Sequence, residues 1–468
     1  MNEVSEKTVK LWQRTLIVFY LLMLIWLPLP KASNQLWSMS LFVTLVAMLA
    51  FLWGVLLFLQ LGVAKRSSRA AESSASSMGW WLFGLLMCLQ GWVALQWLLG
   101  ITLDSARTHL YLLLGLAYSL MFIMAWQLFN TAKRITVLLS VLIVSGTFQA
   151  FYGSVMVLSG VEWLLGVPKD HYFGSATGTF VNRNSMAGYL ELTLACGIGL
   201  LMALRDAERF RWRNILEVLL GPKARIRLAL IIMVIGLVMT QSRMGNAGFM
   251  TALLLVGGVF VLTQKANRLR NSLILVSILL IDLLVISQFF GLERLRDRLI
   301  NTEVAISQEA GELVFDINDL RGLAFTRMIP LAKEQPLTGY GAGSYEVLFI
   351  NHTGPNFGGH FDHAHNDYLQ FWLEVGLIGL LPLGAFVLIV LWQAFKALLH
   401  KESPFQNGLG FGAAMAIIAY LVHSFSDFNL QIPANAATLM VVCAVAVRAN
   451  SLQRRRSRRV RTSSDRVD

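Results

Sequence analysis

The sequence predicts an all-α, polytopic membrane helix bundle of about twelve spans with one large loop subdomain on one face. Three observations predict it. Of 468 residues, 56% are hydrophobic and only 14% are charged, where a soluble domain carries about 25% charged residues. The apolar residues fall in runs that approach the roughly 18 to 20 needed to cross a bilayer. Lys and Arg then collect in alternate loops, as they do on the cytoplasmic side of membrane proteins.

The apolar runs lie near 15–29, 36–62, 79–100, 109–130, 135–160, 185–204, 227–241, 246–264, 272–290, 367–395, 409–426 and 432–449. The first follows Lys7, Lys10 and Arg14 and ends at Pro30 with no small-x-small cleavage site, so it reads as an uncleaved helix. With the N-terminus inside, every basic cluster falls on one side. These are Lys65, Arg66 and Arg69; Lys133 and Arg134; Arg205 to Arg225; Lys265, Arg268 and Arg270; Lys396 and Lys401; and the tail from Arg454 to Arg459. The net charge of +12 is therefore read as a topology signal resting near anionic lipid, with no nucleic-acid partner. Both termini are expected in the cytoplasm, and the chain in the bacterial inner membrane.

Cys88, Cys196 and Cys443 each sit inside an apolar run without metal-ligand spacing, which suits inert buried thiols. No internal repeat of the kind transporters show is evident. The expected organisation is N-terminal membrane helices over 1–178, a second membrane domain over 179–449 that includes the loop 291–366, and a basic tail over 450–468. Structureless loops beyond about 12–15 residues are usually functional or disordered. Apolar residues recur helically through 320–332 until Pro336 and the glycines Gly339, Gly341 and Gly343 interrupt them. Short helices lying over the bundle are predicted there.

Four patches on the face opposite the basic loops carry the candidate chemistry. Gly178–Ser185 enters a helix bearing Glu191, with Arg183 at its start between Asn182 and Asn184. Helix N–H groups with an Arg form a phosphate site; helix capping by Asn184 beside an interfacial Arg explains the residues equally well. Thr240–Asn246 is a tight turn between apolar helices. Its Arg243 has little polar loop to dissolve in, and an ionisable group there is costly enough to suggest function over snorkelling. His360–Gln370 places three histidines in six positions and opens a helix bearing Glu374. His365 or His363 suits a general base. A metal site from His360, Asp362, His363 and His365 is the rival, and a capping segment with Asn366 and Asp367 the blander account. His423–Asn435 brings Asp427 and several amides to the same face before a Pro-started helix. Asp282 is a further intramembrane acid with no evident partner. Two arginines at an interface suit a diphosphate leaving group, and a nearby histidine suits proton removal from an acceptor hydroxyl.

The segments GTFVNRNSMAGYLEL (178–192), SRMG (242–245), PLTGYGAGSY (336–345) and HNDYLQFWLEVGLIG (365–379) together resemble the O-antigen ligase and O-antigen polymerase superfamily. The closing DFNLQIPANA (427–436) is similar to the version in its exopolysaccharide-locus members. The resemblance implies a C-type membrane glycosyltransferase acting on the periplasmic face, with no cofactor and no metal. It implies inverting transfer of a glycan from undecaprenyl diphosphate to lipid A–core, with Arg183 and Arg243 on the diphosphate and His365 as the family's histidine. Asn182, Asn184, Glu191, Arg321, Asn366, Asp367, Glu374 and Asp427 are expected in support. Met244 departs from the common arginine–glycine–glycine turn and bears on loop shape. Polymerase activity and protein O-oligosaccharyl transfer are the alternatives within the class; a membrane transporter is the alternative outside it.

Overall fold

The computed structural model describes residues 6–64, 77–204, 222–263, 306–309, 312–315, 320–353, 361–400 and 403–452, with isolated positions at 268, 272, 276 and 280. It is an all-α polytopic membrane protein. Among the described residues, nine helices are long and apolar enough to cross a membrane. They are α1 (Glu6–Trp26), α2 (Leu36–Ala64), α3 (Met78–Leu98), α4 (Ser105–Leu128), α5 (Ala132–Ser159), α6 (Arg183–Ala203), α8 (Arg243–Thr263), α11 (Asp367–Leu398) and α12 (Pro404–His423). Two further predicted spans form helices outside that set. The first, α7 (Pro222–Met239), starts with Lys223, Arg225 and Arg227, and α13 (Pro433–Ala449) has only 17 residues. The predicted span 272–290, with Asp282, lies outside the described residues, as do most of the basic loops and the tail.

The loop subdomain holds the expected short helices, α9 (Leu320–Glu334) and α10 (Tyr345–Thr353). They pack on the start of α11 through Ala324, Met328, Leu348, Phe349 and Leu373. Two small antiparallel hairpins were not anticipated: β1 (Trp163–Leu164) with β2 (Val167–Pro168), and β3 (Ile306–Glu309) with β4 (Glu312–Phe315). Strands of two to four residues are too short to show a period-2 pattern.

The centre of the bundle is the pair α6 and α12. From Asn184 to Ala203, every residue of α6 is buried. Small residues permit the contact, as at many membrane helix crossings. A Cβ on Gly408 would lie 2.3 Å from the Ala203 nitrogen.

The predicted span at 367–395 forms within α11, which carries a break. At about 1.5 Å per residue, the 32 residues of α11 would reach about 48 Å, well beyond a hydrocarbon core of about 30 Å. The helix breaks at Gly376 (φ 58°, ψ −171°), a conformation that only glycine adopts readily. Backbone groups freed at membrane depth need protein partners, and 336–341 supplies them. Tyr340 and Gly341 donate N–H bonds to the carbonyls of Leu373 (2.7 Å) and Glu374 (2.9 Å). Leu377 and Ile378 donate to the carbonyls of Pro336 (2.9 Å) and Leu337 (3.1 Å). From α3, Gln96 donates to the Glu374 carbonyl (2.8 Å) and Trp92 to that of Val375 (2.8 Å). The loop is thereby bolted to the break, and the half-helix 367–375 becomes a platform at one end of the bundle.

Candidate active site

That end collects the starts of α6, α8, α11 and α13 and the end of α12. Arg183 is the first residue of α6. The cap is Asn182, whose side chain accepts the Asn184 N–H at 2.8 Å; capping falls to Asn182, because the residue just outside the helix is the one whose side chain reaches back to its free N–H groups. Asn184 is buried. Arg183 is half-buried, donates to Ser175 Oγ at 3.3 Å and lies 5.7 Å from the centre of the Tyr172 ring.

Arg243 opens α8 in the same way. Gln241 turns the chain at φ 55° and Ser242 Oγ accepts the Gly245 N–H at 3.2 Å. The Arg243 side chain is exposed. A Cβ on Gly245 would lie 2.6 Å from the Ala187 Cβ, so α8 presses against α6 one turn below Arg183. Two positive helix ends, each carrying a guanidinium, therefore stand side by side. The 161–182 loop joins them: Ala176 donates its N–H to the Met239 carbonyl (2.8 Å), and the Gln241 amide donates to the Gly174 carbonyl (2.8 Å).

The two histidines differ. His363 is buried, stacks on Phe428 at 4.5 Å and meets Gln370 Nε2 at 3.2 Å. Burial lowers it to about 4, so it is neutral at physiological pH. His365 sits at φ 48°, edge-on to both Phe428 and Phe361. Its Nδ1 faces Asp427 Oδ1 at 3.7 Å. Burial alone would raise the Asp427 carboxyl, but His365 and His423 outweigh it and hold the group below its ordinary value. At 3.7 Å the carboxylate makes no hydrogen bond to the ring but favours its protonated form through charge, which suits a general base.

The supporting residues are tied to these. Asn366 caps α11, accepting from Leu369 N–H at 2.9 Å and donating to the Phe425 carbonyl at 3.0 Å. Buried Asp367 accepts from Ser424 Oγ at 2.9 Å. Buried Glu374 accepts from Gln370 at 3.0 Å, so Gln370 links it to His363. Asn435 of α13 donates to the Ser185 carbonyl at 2.9 Å, joining the start of α6 to the Asp427 turn through Asn429. Arg321 lies in α9, but its side chain is outside the described residues, as is His360. Among the described residues, no three of His, Cys, Asp and Glu converge as a metal site requires.

Three residues at this end carried no assigned role in the sequence reading, although Gln370 and His423 lie within its patches. Gln370 is the bridge just described. His423 is the partner of Glu191, at 3.0 Å with both side chains fully buried. Arg107, in the first turn of α4, pairs with Glu346 of α10 and with Asp104 at 3.7 Å. Arg107 did leave a signal: it is a lone cation at the start of an apolar run, on the face where the other basic clusters are missing.

Residues 228–384 match the O-antigen ligase family. This supports the O-antigen ligase and polymerase superfamily for the chain, and with it glycan transfer of ligase or polymerase type on lipid-linked substrates in a membrane. The matched O-antigen ligase region holds Arg243, the loop subdomain, both histidines and Glu374. It excludes Arg183, Glu191, His423 and Asp427, which the fold brings to the same end. No curated protein matches the chain.

Proposed function

We propose that the protein transfers a glycan from undecaprenyl diphosphate to lipid A–core on the periplasmic face of the inner membrane. The packing of Gly245 against Ala187 carries this reading, because it sets the Arg183 and Arg243 helix ends beside one another. Two guanidiniums and two sets of free N–H groups suit the two phosphates of a diphosphate. Each charge-assisted contact contributes about 1.5–3 kcal/mol, and gains in weight as charge builds on the leaving group.

The acceptor hydroxyl oxygen attacks the anomeric carbon from the side opposite the diphosphate. The carbon–oxygen bond to phosphate breaks, and its electron pair leaves with the polyprenyl diphosphate. His365 takes the hydroxyl proton, with Asp427 stabilising the imidazolium. The configuration inverts. No step calls on a metal, so turnover is expected to survive EDTA; loss restored by a divalent ion would replace this mechanism with a metal site around His363 and His365.

The deciding experiment is the lipopolysaccharide of a deletion strain. A ligase deletion leaves long glycan on the carrier and none on the core. Single repeats on the core would make the protein a polymerase, and a lost glycoprotein would make it a protein transferase. Reporter fusions test the orientation: after Arg213 and Arg459 they should read cytoplasmic, and near Glu312 periplasmic.

A further inference from the structure

The 161–182 loop inverts the usual order of burial. Trp163, Leu165, Val167 and Phe173 are exposed, whereas only 2% of the Lys169 side chain is accessible. The Lys169 ammonium donates to Glu162 Oε2 at 2.8 Å and to the Ser175 carbonyl at 2.8 Å. Glu162 Oε1 accepts the Gly174 N–H at 2.7 Å, and the Glu162 carbonyl accepts the Lys169 N–H at 3.1 Å. The two residues flank the β1–β2 hairpin, and from there they grip Gly174 and Ser175. The loop is thus organised around an ion pair and not around an apolar core.

A buried ion pair adds little to stability, because apolar residues of similar volume would hold the chain as well or better; its best-attested use is to fix one geometry. What this pair fixes lies against the two arginines. The Gly174 carbonyl accepts the Gln241 amide at 2.8 Å, two residues before Arg243. Ser175 Oγ accepts from Arg183 at 3.3 Å. The Ser175 N–H is donated to the Tyr172 carbonyl at 3.2 Å, and the Tyr172 ring stands 5.7 Å from the Arg183 guanidinium. The residues that the pair grips are therefore the ones that meet the starts of α6 and α8.

We propose that Glu162 and Lys169 form a clasp that positions the Arg183 guanidinium for the donor diphosphate. This rests on the diphosphate reading of Arg183 and Arg243. An arginine side chain has many rotamers, and ordering it only when the ligand arrives weakens binding. The clasp orders it beforehand: Lys169 holds the Ser175 backbone, and the Ser175 hydroxyl holds Arg183. Glu162 keeps the ammonium in place and sets Gly174. Both residues act through Ser175 and are positioning residues; neither has to touch phosphate.

The test is the binding of undecaprenyl diphosphate, the carrier without its glycan, to the full-length protein in lipid nanodiscs. Lys169→Met keeps an apolar stem and removes the ammonium. It should weaken binding roughly two- to tenfold, the cost of ordering one long side chain on the ligand. On an Arg183→Ala background the same change should add nothing, because a residue that acts through Arg183 has no effect once that side chain is gone. A role confined to general stability would instead give the same loss on both backgrounds. That result, or wild-type affinity in Lys169→Met, overturns the clasp. Should that variant not fold, Ser175→Ala leaves the ion pair intact and removes the hydroxyl that holds Arg183. It should show a loss with the same dependence on Arg183, and wild-type affinity there overturns the clasp too. Wild-type affinity in both Arg183→Ala and Arg243→Ala would defeat the diphosphate reading itself, which keeps the two failures apart.

Discussion

Helices α2 and α6 look alike as strings of apolar residues and behave oppositely. Although α2 is the more hydrophobic, it lies mostly exposed, presenting Leu41, Met48, Phe51 and Phe58 outward. Helix α6 is less hydrophobic and is buried at every position after Arg183. In water this order would be reversed. In lipid an apolar side chain gains little by leaving the acyl chains for another helix. What marks a central membrane helix is small residues that allow close approach and polar residues that need protein partners. Helix α6 has both, in Gly188, Gly199 and Glu191, and it carries Arg183.

The largest test of this contrast is catalytic. His365→Ala should lower turnover about 10²- to 10⁴-fold while donor binding persists, whereas Phe51→Ala on α2 should leave both unchanged. Equal losses in the two variants would show that the site is not confined to the central end. Next come the arginines. Arg183→Ala and Arg243→Ala should each cost about 1.5–3 kcal/mol in kcat/KM, at normal membrane levels. Arg243→Lys should recover only part, because lysine keeps the charge and loses the planar fork. Full activity in both alanine variants would remove the diphosphate role.

A smaller effect sharpens the packing side of the comparison. Gly408→Ala drives a Cβ against the backbone of α6 and should cost about 1–3 kcal/mol of stability. Gly54→Ala on α2 meets nothing within 4 Å and should gain up to about 1 kcal/mol from helix propensity. Thermal melts in detergent should move in opposite directions. The smallest effect is the acid slope of His363. Its folded value of about 4 lies below the ordinary value of about 6.5. The unfolded chain therefore binds the proton first, and stability is lost as pH falls through that window and is intact above it. His363→Gln should flatten the melting temperature between those limits; an unchanged slope would place its origin elsewhere.

Composition and local pattern determined the helical membrane class, most of the span positions, the loop helix before Pro336 and the start of α6 at Arg183. Those features depend on residues close together in the chain, where hydropathy, charge and capping act directly. The different surroundings of His363 and His365 were not readable, because two histidines two residues apart present the same chemistry until Gln370, Asp427 and Phe428 surround them. The break in α11 was hidden too: Gly376 is one glycine in an apolar run, and its φ is held by hydrogen bonds from residues 336 to 341 and by Gln96 and Trp92. The Glu191–His423 pair joins positions 232 residues apart. Such contacts were left to the tertiary structure because a membrane helix announces that it must be buried in something apolar, but not which of its neighbours will satisfy its few polar groups.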